Sequence, residues 1–134
     1  MRPLHLIFGV LVLVVFLLTG KYMDVYYNHM VGVSDAPRLL YRTRHIFILL
    51  SGLVNLGIGI YLSYRQQLWS RILQWLGSVL IVTSSLLFIT AFFYEPKLTG
   101  LYTPLSHWGT YTIAIGTLCH LFSGVQKTSP TNSL

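Results

Sequence analysis

Acidic side chains are nearly missing from this chain: Asp24, Asp35 and Glu95 stand against nine Lys and Arg in 134 residues. Cysteine is rarer still. The single Cys119 excludes an intrachain disulfide, a CxxC redox pair and a cysteine-rich zinc site. Charged residues of both signs make up only 9% of the chain and apolar ones 54%, too lopsided a mixture to cover a water-soluble globule of this size. No HExxH, nucleophile elbow or phosphate loop is present, which argues against a hydrolase. The longest apolar runs contain no carboxylate, so proton-relay chemistry deep in a membrane has no acid to use.

What the chain has in abundance is uninterrupted hydrophobic sequence, with a mean hydropathy of +0.64. Crossing a hydrocarbon core of about 30 Å takes roughly 20 helical residues, and four stretches meet that length. The expected spans are 4–22, 45–64, 72–94 and 105–122, the last opening behind Pro104, a residue suited to a first helical turn. Spans of this length without in-and-out alternation exclude a barrel, so the expected fold is an all-α membrane protein, a four-transmembrane-helix bundle with both termini on the same side. The bundle fills 1–126 as one domain, and 127–134 reads as a polar, disordered tail. The first run lacks a small-residue cleavage site and exceeds a signal-peptide core in length, which makes it a retained helix. In the long 21–44 connection, Ser34 or Asp35 before Pro37 marks a helix start, and Leu39, Leu40 and Tyr41 among Arg38, Arg42 and Arg44 suggest a segment lying at headgroup level.

Four crossings put Arg2, Arg65, Arg71 and Lys127 at one face (side A) and Lys21, Arg38, Arg42, Arg44 and Lys97 at the other (side B). The count is nearly even; the shorter charged segments of side A favour cytoplasmic termini, in a bacterial-type inner membrane. The net charge of +6 fits anionic lipid headgroups better than nucleic acid, since no soluble basic domain exists to hold a duplex. Arg42 and Arg44 read as phosphate anchors, and Glu95 as a solvated loop acid or a partner of Lys97.

Projected at 100° per residue, small and polar side chains gather on one stripe per helix: His5, Gly9, Thr19 and Gly20; His45, Gly52, Asn55 and Gly59; Gln74, Ser78 and Ser85; Gly109, Gly116, His120 and Gly124. Membrane helices pack through such stripes, which are therefore the expected inner faces. Ser51, Asn55 and Gly59 could equally face a second copy of the chain, as a homo-oligomer or within a larger membrane complex. Histidines fall near both faces, His5 with His120 at side A and His45 with His107 at side B. In this placement the layout resembles small b-type cytochromes of bacterial and organellar membranes. The resemblance implies bis-histidine ligation of haem b, with His5 and His120 the better pair and His45 with His107 the weaker. A metal site beyond haem iron would need more converging ligands than this division provides. The overall reading is a non-enzymatic bundle subunit or scaffold, the alternatives being a haem-binding electron-transfer protein and a small transporter-like protein working as an oligomer.

Overall fold

The computed structural model describes residues 1–98 and 102–124. Four helices make up the fold: α1 (Arg2–Tyr27), α2 (Asp35–Tyr61), α3 (Leu68–Tyr94) and α4 (Pro104–Gly124), with single 3-10 turns at Asn28–Met30 and Glu95–Lys97. Proline stands in the first turn of α1, where its missing N–H has no helical partner to lose. α2 starts on Ser34 as N-cap with Asp35 in its first turn, where a carboxylate complements the helix dipole.

The segment expected at headgroup level and the second span are one continuous helix. Leu40, Tyr41 and Arg44 share the buried face of α2 with Ile48, Ser51 and Gly52, so the apolar stripe runs through the basic stretch and carries the helix with it. At its other end α2 stops at Tyr61. The connection to α3 is 62–67, placed earlier than the expected turn between Arg65 and Arg71, and Gln74 holds it by donating from Nε2 to the Ser63 carbonyl at 2.8 Å.

Two antiparallel pairs, α1 with α2 and α3 with α4, meet mainly along α2 and α3. Each pair closes on glycines. A Cβ on Gly59 would lie 2.7 Å from Leu6, one on Gly9 2.9 Å from Leu56 and one on Gly52 3.0 Å from Leu13, so the α1–α2 contact steps down one helix as it steps up the other. Gly109 against Phe88 and Gly116 against Ile81 do the same for α3 and α4, at 2.6 and 2.7 Å. Such close backbone approach is what small residues on membrane helices allow.

Chain reversal between α1 and α2 uses left-handed backbone at Asn28, His29 and Met30 (φ 43°, 57° and 67°) before Gly32 (φ 81°). Left-handed geometry at a non-glycine residue costs on the order of 1 kcal/mol. Burial of Met30 and the Tyr27–Tyr41 hydroxyl contact at 2.9 Å anchor the turn.

The polarity of the fold runs inside out. Ser51, Asn55, Ser84 and Ser85 are wholly buried, while Leu17, Ile60, Val79 and Leu86 are each more than half exposed. Three of the helical segments, Arg2–Met30, Asp35–Tyr61 and Leu68–Lys97, are long and apolar enough to cross a membrane. α4, expected as the fourth span, is not among them, because Ser, Thr, Gly and His occupy much of its first half. The expected 127–134 tail lies outside the described residues.

Candidate functional site

One hydrogen-bonded system crosses the bundle near the end where α1 begins. Asn55, on α2, donates from Nδ2 to the Ser51 carbonyl at 2.9 Å and to Ser85 Oγ at 3.1 Å. That leaves its Oδ1 to accept from His5 Nδ1 at 2.8 Å. His5, wholly buried on α1, meets Ser78 Oγ of α3 through Nε2 at 2.8 Å, and Ser78 Oγ meets His120 Nε2 of α4 at 3.3 Å. All four helices thus contribute to one polar core. The helix stripes are what bring it together: His5, Asn55, Ser78, Ser85 and His120 lie on the inward faces, as do Gly52, Gly59, Gly109 and Gly116.

His5 and His120 therefore do meet, with ring centroids 6.0 Å apart and planes 82° from parallel. They do not fit haem. An iron between two imidazoles needs one free nitrogen on each, aimed at a common centre across a flat macrocycle. Both nitrogens of His5 are engaged in hydrogen bonds, and the Ser78 hydroxyl stands where the iron would have to be. The second pair does not converge. His45 turns to α1, stacking on Phe16 at 4.1 Å and bonding Thr19 Oγ1 through Nδ1 at 3.0 Å, beside Gly20, whose lack of a side chain makes room for the ring. His107 is exposed on α4 with Thr103 as its neighbour at 3.3 Å. Among the described residues no group of three or more His, Cys, Asp or Glu gathers as metal ligands. The small-residue stripe of α2 is likewise taken up within the chain, since Ser51 and Asn55 are wholly buried and Gly59 abuts Leu6.

A second polar cluster lies toward the opposite end. Arg44 donates from Nε to Glu95 Oε2 at 2.7 Å, Ser106 Oγ donates to the same oxygen at 2.6 Å, and the Ser106 backbone N–H donates to Oε1 at 2.9 Å. Glu95 has no exposed surface and Arg44 is 5% exposed. The expected roles of Arg44 as a phosphate anchor and of Glu95 as a loop acid are corrected accordingly. The carboxylate sits on the N-terminus of α4, where unpaired backbone N–H groups and the helix dipole favour an anion, and there it also neutralises the arginine. The pairing spans 51 positions and carries no local motif. Its one sequence signal is an acid in the Glu-Pro-Lys turn shortly before a helix start.

At the other end, arginines cap helices. Arg2 donates to the carbonyls of Gly59 and Ile60 at 3.4 and 3.0 Å, and Arg65 to that of Gly124 at 3.2 Å. The start of α1 and the ends of α2 and α4 are thereby held at one end of the bundle. One atom of the core is left over. His120 Nδ1 is buried with no partner, a condition that costs about 1–3 kcal/mol.

No protein-family model, curated protein or solved structure is significantly similar to the chain. The chain is an all-helical bundle of four helices, three of them long and apolar enough to cross a membrane.

Proposed function

We propose that this protein is an integral membrane bundle in which all four helices cross the bilayer, with both chain ends at one face, and that it works without catalysis as a membrane-embedded subunit or scaffold. The inside-out polarity carries this reading. Wholly buried Asn55, Ser51 and Ser85 beneath a surface of half-exposed leucine, isoleucine and valine form an arrangement that water would unfold and lipid would favour. α4 crosses as the least apolar member, its Ser106, Gly109 and Gly116 turned inward.

Charge supports the orientation with the chain ends in the cytoplasm of a bacterial-type cell. Among the described residues Arg2, Arg65 and Arg71 stand without an ion pair beside the amino terminus, against Lys21, Arg42 and Lys97 at the far end, where Arg38 and Arg44 are neutralised by Asp35 and Glu95.

The test is alkaline carbonate extraction of membranes from expressing cells, followed by gel filtration with and without detergent. The protein is expected to stay in the pellet and to remain monodisperse only in detergent. Release by carbonate, or a monodisperse species in plain buffer, would overturn the proposal.

A further inference from the structure

His120 Nδ1 is the one buried side-chain nitrogen or oxygen without a hydrogen-bond partner among the described residues. The polarity of the network identifies what it lacks. Asn55 Oδ1 must accept, so His5 Nδ1 carries a proton; the bare Nε2 of a neutral His5 accepts from the Ser78 hydroxyl, and Ser78 oxygen accepts from His120 Nε2–H. Nδ1 of His120 is then a bare lone pair in search of a donor.

The same imidazole walls a cavity of about 370 Å³ between the ends of α2 and α4, the 62–67 connection and Gln74 of α3. Its Nε2 and Cδ2 corner is turned to Ser78 and Gly77 on α3, which leaves Nδ1 on the opposite edge. Arg65 is the single charged residue in the lining, and among the described residues no carboxylate opposes it. One Arg65 N–H reaches the Gly124 carbonyl, out of five that a guanidinium carries. Ile58 and Leu62 supply apolar wall, and Tyr61 at the mouth is 83% exposed. At Gly57 the wall is open, with nothing within 4 Å of where a Cβ would stand. A space of this size takes a polar headgroup rather than a pair of acyl chains.

We propose that the cavity binds an anionic glycerophospholipid whose headgroup carries free hydroxyls. Its phosphate pairs with Arg65, a headgroup hydroxyl donates to His120 Nδ1, and its acyl chains run past Ile58 and Tyr61 along the outer surface. Nδ1 is itself buried, and a turn about χ2, a torsion with broad minima in imidazoles, presents it to the cavity in exchange for the 3.3 Å contact of Nε2 with Ser78. The proposal rests on the membrane placement argued above.

The experiment uses the full-length protein in dodecyl maltoside, with native mass spectrometry of bound dioleoyl phosphatidylglycerol, dioleoyl phosphatidylcholine and dioleoyl phosphatidylmethanol, the last an anionic phosphodiester without hydroxyls. Phosphatidylglycerol is expected to be retained about tenfold over phosphatidylcholine, whose quaternary ammonium cancels the phosphate charge and which offers no hydroxyl, and severalfold over phosphatidylmethanol. Gly57→Leu, whose Cβ meets nothing within 4 Å among the described residues, is expected to abolish retention without lowering the unfolding temperature, and Arg65→Gln to lower it about tenfold. Equal retention of the three lipids, or retention unaltered in both variants, would overturn the proposal. Carbonate extraction of the membranes from which the protein is purified separates the two readings: a protein that resists extraction yet shows no preference for phosphatidylglycerol defeats the cavity proposal alone.

Discussion

Two side chains decide the polar economy of the interior. Glu95 serves Arg44 and the first turn of α4 at once, so losing its charge strands a buried guanidinium and weakens a helix start. Glu95→Gln is expected to lower stability by about 3–5 kcal/mol, measured by denaturant titration in micelles, and Arg44→Met in the same background to recover part of that loss. A fully additive double variant would show that the two groups do not communicate. Asn55 occupies the corresponding place in the other cluster. Asn55→Leu leaves His5 Nδ1 without a partner and Ser85 with only the Ile81 carbonyl, and is expected to cost about 1–3 kcal/mol, whereas Ser84→Ala, which removes only a hydroxyl bonded to its own helix at Ile81, should cost well under 1 kcal/mol. Equal effects would mean that the Asn55 contacts contribute no more than a local one.

At the scale of the helix, glycines four positions or fewer apart have opposite meanings. Gly57 faces open space and Gly59 faces Leu6. Gly57→Ala is expected to raise stability by about 0.5–1 kcal/mol through helix propensity, and Gly59→Ala to lower it by about 1–3 kcal/mol through overpacking, both read as shifts in unfolding midpoint. Matching signs would contradict the α1–α2 seam. This distinction was half legible in the sequence. A helical wheel puts Gly52, Asn55 and Gly59 on one face because periodicity alone decides which residues can turn inward together, and the buried positions of Gln74, Ser78 and Ser85 followed for the same reason. Which partner each meets was not legible, since that depends on helix register: Ser78 bridges two histidines, and His107, on the same helix as His120, points outward. The helix start at Asp35 was legible, but its continuity with the second span was hidden by the arginines between them, because Arg44 is buried only by virtue of an acid far along the chain.

For the whole molecule, the consequence of an antiparallel bundle is that its loops alternate between ends. Ser63, in the connection closed by Gln74, and Tyr26, at the end of α1, are both exposed and belong to opposite ends. With Cys119 replaced by serine, Ser63→Cys and Tyr26→Cys are expected to react with a membrane-impermeant maleimide from opposite sides of sealed vesicles; labelling from one side would contradict a spanning bundle. The glycine seams join neighbours in sequence, whereas the Arg44–Glu95–Ser106 knot ties the first hairpin to the second. Biogenesis therefore meets an interval in which α2 has left the ribosome and its guanidinium has no counter-ion. In the membrane placement proposed above, a nascent chain stalled short of Glu95 carries that lone cation into the translocon, and such truncated products should be the preferred prey of membrane-bound proteases.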